Sequence, residues 1–203
     1  MKQLFRLAAI LMVMAFAMNA QAQTIGLKAG LNMASMVIKV DDEKADDIKM
    51  KPGFHIGATF EMPFGDMLAF EPGVLLSTKG YKIDGDPDDF VFNVMYVEVP
   101  LNAKAYFDIG DLKLFALAGP YIGIGVTGKS KVGDDSEDIE WGTEVGEANR
   151  IDYGLNIGAG VQIGAIEAGI GYGLGLGNMS NADDVSYKHR VLGISVAYKL
   201  GMN

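Results

Sequence analysis

The chain contains no cysteine, which excludes a disulfide framework, a thiolate metal site and a lipid-modified N-terminal cysteine. It has no apolar run of about 18 residues beyond position 23, so no helix of the mature chain is expected to span a bilayer. No segment of useful length shows the periodicity of an amphipathic helix. Histidine occurs twice and tryptophan once, which leaves few candidates for acid–base chemistry. Positive charge is scarce, with 17 Lys and Arg against 26 Asp and Glu and a net charge of −9. That balance argues against nucleic acid as a partner, because binding phosphates needs a basic surface.

The N-terminus sets the compartment. Lys2 and Arg6 precede an apolar run from Leu7 to Met18, and Ala20-Gln21-Ala22 forms an A-x-A cleavage site. This order marks residues 1–22 as a cleaved signal peptide. The apolar run is too short to cross the ~30 Å hydrocarbon core as a helical anchor. The mature domain is 23–203, and loss of Lys2 and Arg6 turns the net charge from −9 into −11.

The mature chain alternates with period 2, the signature of a strand with two unlike faces. In 151–163, Ile151, Tyr153, Leu155, Ile157, Ala159, Val161 and Ile163 alternate with Asp152, Gly154, Asn156, Gly158, Gly160 and Gln162. Segment 166–177 repeats the pattern, and only Gly164-Ala165 separates the two, as in a tight hairpin. Six further segments, beginning near Ile25, Phe54, Phe70, Val97, Leu114 and Leu192, bring the count to eight. Each is long enough for a tilted transmembrane strand of about 9–11 residues. Short connections at 63–67, 108–111 and 164–165 alternate with long polar ones at 35–51, 80–91, 127–150 and 179–187. Short periplasmic turns and long extracellular loops have this asymmetry.

One face of these strands is apolar. The other carries Lys28, His55, Glu61, Glu71, Glu98, Lys104, Gln162, Glu167 and many of the 27 glycines. Alternation alone does not say which face lies inside. Strand length, the glycine content of the second face and the loop asymmetry favour apolar-out. The expectation is an all-β, eight-stranded antiparallel up-and-down transmembrane β-barrel in the outer membrane of a Gram-negative cell. Its lumen is narrow and filled by side chains. Lys28 and Lys104 are expected to pair there with some of Glu61, Glu71, Glu98 and Glu167, since an unpaired buried charge is costly.

Several runs carry a family resemblance. They are Gly26-Leu27-Lys28-Ala29-Gly30-Leu31-Asn32, Phe70-Glu71-Pro72-Gly73 leading to Lys79-Gly80, Val97-Glu98-Val99-Pro100-Leu101, Ala118-Gly119-Pro120-Tyr121 and Val196-Ala197-Tyr198-Lys199-Leu200. In this order and spacing the chain resembles the outer membrane β-barrel domain proteins grouped as porin family or PorT-like, over nearly all of 24–200. The resemblance implies the fold, the outer membrane and passage through the barrel-assembly machinery, and it implies little about activity. One departure is at the C-terminus. Many outer-membrane chains end on an aromatic residue, and this one continues past Tyr198 and Leu200 into Gly201-Met202-Asn203.

Candidate chemistry is sparse. Asp41, Asp42, Asp84, Asp86, Asp88, Asp134 and Asp135 belong to an acidic loop rim that either binds divalent cations or is simply solvated. Residues 84–89 are not an EF-hand, lacking its glycine at position 6 and glutamate at position 12. Neither histidine has a serine at the spacing of a lipid-facing hydrolase, so no catalytic residue, metal site or cofactor is expected. Gly171 to Gly177 is not followed by a helix, which rejects a phosphate-binding loop. Trp141 reads as a loop residue, and Lys188, His189 and Arg190 as anchors at the headgroup girdle. The leading expectation is a monomeric structural or surface-interaction barrel in contact with outer-membrane lipids. Alternatives are a low-conductance porin, a lipid-modifying enzyme and a soluble periplasmic calyx.

Overall fold

A computed structural model describes residues 23–41, 43–45 and 47–201. The expected signal peptide, 1–22, lies outside the described residues, as do Asp42 and Asp46. The elements are β1 (Thr24–Val40), β2 (Glu43–Lys44), β3 (Lys51–Phe64), β4 (Leu68–Ile83), β5 (Phe90–Ile109), β6 (Leu112–Val132), β7 (Asp135–Asp138), β8 (Ile151–Ile163), β9 (Ile166–Gly175) and β10 (Val185–Leu200). The short β2 and β7 fold back on β1 and β6. The eight long strands pair antiparallel with their chain neighbours, and β10 returns to β1 from Ile25↔Leu200 to Val40↔Val185. The expected up-and-down barrel is therefore closed.

Closure explains how this sheet can stand in lipid. Each unsatisfied backbone group there costs several kcal/mol, and only a sheet without edges satisfies all of them. The outer wall is apolar. Leu31, Ile157 and Ile194 are 69%, 62% and 62% exposed, and Leu155, Ile170 and Val196 stand beside them. Inward positions bury Asn32, Glu71, Glu98, Lys104, Asp152, Gln162 and Glu167. A soluble calyx would need the reverse arrangement, so that alternative is withdrawn.

The strands run further than their sequence pattern suggested. Expected connections 35–51, 80–91, 127–150 and 179–187 shrink to 41–50, 84–89, 133–150 and 176–184. The cause is a change of phase near the extracellular end. On β1, apolar Leu31 and Met33 point outward, whereas Met36 and Ile38 are buried. Buried Val94 and Tyr96 on β5 join them, with Met179 from the last long loop. Above the bilayer the outside is water, and the barrel buries apolar groups as a soluble protein does. The hydrogen-bonded ladder continues while the inside–outside pattern inverts. A register irregularity between Met95 and Tyr96, the form of a β-bulge, falls in this zone.

An arginine in place of Ile157, at the middle of β8, should destabilise the folded barrel by about 2–4 kcal/mol if that position faces the bilayer midplane. Equilibrium refolding into lipid vesicles measures it.

Candidate functional site

Two groups of charges fill the membrane-level lumen. The first lies toward the periplasmic turns. Lys104 Nζ is 2.9 Å from Glu71 Oε2, 2.7 Å from Glu167 Oε1 and 3.5 Å from Glu61 Oε2. Lys199 Nζ is 2.6 Å from Glu61 Oε2 and 2.8 Å from Glu167 Oε1. It also donates to Gln162 Oε1 at 3.2 Å. Tyr106 hydroxyl donates to Glu61 and, at 3.0 Å, to Glu167. The Lys104 ammonium lies 4.2 Å from the centre of the Phe115 ring, a cation–π contact.

The second group lies further toward the loops. Lys79 Nζ sits between Glu98 Oε2 at 2.6 Å and Asp152 Oδ2 at 2.9 Å. Tyr121 hydroxyl donates to Asp152 at 3.1 Å, and its ring lies 4.1 Å from Lys79 Nζ. Beside these groups, Asn32 Nδ2 donates to Phe54 O, Ser77 Oγ and Thr78 O, which leaves Asn32 Oδ1 to accept from His55 Nδ1 at 2.8 Å. Together the two charge groups draw side chains from every long strand except β1. Lys104–Glu61, Lys104–Glu167, Lys199–Glu61 and Lys79–Asp152 tie strands that no backbone ladder joins, whereas Lys104–Glu71, Lys199–Glu167 and Lys79–Glu98 brace neighbouring strands.

Of the eight lumen positions named from the sequence, Glu61, Glu71, Lys104, Gln162 and Glu167 meet in the first group, and Glu98 joins the second. His55 stands apart with Asn32. Lys28 differs from expectation: it is half-buried and has no ion pair among the described residues. The reason is height. Periodicity gives the face of a residue, whereas strand tilt and stagger decide which inward groups meet. Lys79, Asp152, Lys199 and Tyr106 were not among the expected members of the lumen network. Asp152 and Lys199 carried the signal, since both fall on polar strand faces. Lys79 lay beyond a strand drawn too short.

His189 corrects a second expectation. It is not a headgroup anchor: it is 1% exposed, with Nε2 3.2 Å from the Tyr96 hydroxyl. Trp141 is part of the apolar core over the lumen, edge-on to Tyr96 with ring centres 6.1 Å apart. Only glycine fits beneath it, for a Cβ on Gly125 would stand 2.4 Å from the indole. The loop carrying Trp141 is tied to the last long loop. Asn181 Nδ2 donates to the carbonyls of Gly142 at 3.1 Å, Glu144 at 3.3 Å and Glu147 at 3.0 Å. Asn149 N donates to Met179 O at 2.8 Å.

The rim acids do not converge. Asp41, Asp84, Asp86, Asp88, Asp134 and Asp135 are exposed, and among the described residues no group of three or more His, Asp or Glu is placed to hold a metal ion. The expectation of a divalent cation thus finds no ligand set there. Asp84 instead meets Lys49 and Lys82, and Asp89 lies 2.7 Å from Lys82 Nζ. Hydrogen bonds from Lys49 and then Lys82 hold the Asp84 carboxyl below the usual carboxylate range. Lys82, and then the Gly85 amide, do the same for Asp89. The Lys82 ammonium is raised in turn, first by Asp89 and then by Asp84.

Comparison with known proteins fits this geometry. Residues 19–181 match the outer membrane protein beta-barrel domain family, and the chain belongs to it. It is an integral protein of the outer membrane. Solved structures similar to it include OprG from Pseudomonas aeruginosa, with TM-score 0.50, 13% identity, and coverage of 88% of this chain and 96% of that one. Neisserial surface protein A is similar at TM-score 0.49 and 16% identity, covering 87% and 97%. Ail, the attachment invasion locus protein of Yersinia pestis, is similar at TM-score 0.39 and 21% identity, covering 87% and 99%. At these identities the likeness is one of fold. No curated protein sequence matches the chain.

Replacing Lys104 with methionine strips Glu71 of its ion-pair partner and should cost about 3–5 kcal/mol. The double variant Lys104→Met/Glu71→Gln should recover part of that loss, as read by denaturant unfolding in vesicles. At the rim, carboxyls with lowered folded-state pKa stabilise the 84–89 turn fully above the unfolded value of about 3.9. That contribution is lost as pH falls below it through the folded values. Backbone relaxation of residues 84–89 should therefore match at pH 7 and pH 5, and report faster motion near pH 2.

Proposed function

We propose that this barrel is a closed, monomeric member of its family whose work is done by its extracellular surface. It is exported by the 1–22 leader and is PorT-like in its motif order. On this reading it neither passes solutes in quantity nor transforms lipid. The observation that supports the reading is the apolar core at the extracellular end of the lumen. An apolar core of Met36, Ile38, Val94, Tyr96 and Met179 caps the lumen, and Trp141 from the 133–150 loop packs onto it. Asn181 then fixes that loop to its neighbour. A loop pair held this way offers a partner a surface whose ordering cost is already met.

The chemistry of that surface points to the partner. Asp134, Asp135, Glu137, Asp138 and Glu144 are exposed, and Val145 projects at 79% exposure. Like charge disfavours polyanions, so the expected partner presents a basic patch with an apolar spot. Lipid modification has little support. His55 is bonded to Asn32 and His189 to Tyr96, both facing inward, away from any lipid substrate.

The competing reading is a low-conductance porin, and the unpaired Lys28 in the lumen is the feature that favours it. Planar bilayers separate the two. Purified barrel should give no stable, ohmic current steps, and a Trp141→Ala variant should show more current noise than the parent. Sustained steps from the unaltered protein would place it with the porins instead.

A further inference from the structure

Between the two charge groups the lumen widens into a chamber of about 120 Å³. Lys104 and Glu167 line it from below, Lys79 and Glu98 from above, and Lys28 from the side. Lys79 is held by Glu98 and Asp152, and Lys104 by Glu61, Glu71 and Glu167, whereas Lys28 has no carboxylate partner among the described residues.

Two further observations mark the chamber as a place for a ligand. Asn102 lines it, is 4% exposed, and its Oδ1 has no hydrogen-bond partner. No side-chain hydrogen bond from Asn102 occurs among the described residues. A buried amide left unbonded costs about 1–3 kcal/mol, and it can turn either its oxygen or its nitrogen toward a guest. Two of the glycines that line the chamber, Gly171 and Gly193, are not required by close packing. A Cβ on Gly171 would meet only Ile157 O at 3.6 Å, and on Gly193 nothing nearer than Asn32 Oδ1 at 3.5 Å. These are ordinary contacts, and neither glycine has a positive φ. That differs from Gly30, where a Cβ would fall 2.2 Å from Ile194 O. What glycine at 171 and 193 provides is empty space in the chamber that Lys28 and Asn102 also line.

We propose that this chamber is a binding site for one small monovalent anion, paired with Lys28 and hydrogen-bonded by the Asn102 amide. The volume admits an anion with a few waters and excludes larger solutes. The hydroxyls of Thr59 and Ser195, which also line the space, supply further donors. A bound anion supplies the charge partner that no side chain gives Lys28 and accepts from Asn102 Nδ2, while a water that enters with it can donate to Oδ1. The site lies at membrane level, distinct from the loop surface proposed above, and does not depend on that proposal.

Bromide is the probe. Crystals of the detergent-solubilised protein grown in sodium bromide should show an anomalous peak in the chamber beside Lys28 Nζ. In solution, the bromide NMR line should broaden with protein and sharpen again on chloride addition. Lys28→Met should remove the peak and most of the broadening while leaving the β circular-dichroism spectrum and Trp141 emission unchanged. Gly171→Val, which fills the chamber but keeps Lys28, should do the same. Anomalous peaks confined to the loops would overturn the proposal. So would a Lys28→Met or Gly171→Val protein that broadens the line as the parent does.

Discussion

The pairing of β1 with β10 is the interaction on which the rest depends. A sheet in lipid cannot leave an edge, because its amides and carbonyls have no water to turn to. Sixteen consecutive residue pairs, Ile25↔Leu200 through Val40↔Val185, remove that edge. Once the sheet is closed, every strand has one face toward hydrocarbon and one toward a narrow interior. The apolar wall and the charged lumen are two consequences of the same closure.

A lumen this narrow makes its contents interdependent. Lysines and carboxylates drawn from β3, β4, β5, β8, β9 and β10 sit within hydrogen-bonding distance of one another, far from bulk water. Each is costly alone and tolerable only in company. Above the membrane the solvent changes, and the interior changes with it: Met36, Ile38 and Tyr96 take the inward positions that Asn32, Lys79 and Glu98 hold below. The barrel is in effect two structures on one ladder, one polar inside and one apolar inside.

This layering explains what could be read from the sequence. Segment 151–163 and its hairpin partner from 166 were fully legible, because lipid enforces alternation there and Gly164-Ala165 marks the turn. So was the inward face of Glu71, Glu98 and Lys104. The last residues of β1 and β4 and the first of β10 were not, because the alternation changes phase while the strand continues. That is why Lys79 was passed over and His189 was assigned to the wrong surface. Pairing across the lumen was also hidden. Lys104 meets Glu167, 63 residues away, through strand tilt and stagger that no local pattern encodes. Trp141 lay in a loop whose sequence gives no sign that it folds back over Tyr96.

Everything here rests on apolar-out closure in the outer membrane. The most direct test is to fractionate cells making the protein and run the outer-membrane fraction on a denaturing gel, unboiled beside boiled. A closed barrel should remain in that fraction and migrate differently once boiled, because the intact sheet resists detergent until heated. A protein that leaves the cells without detergent and shows one mobility would contradict the account, since its apolar face would then have to lie inside.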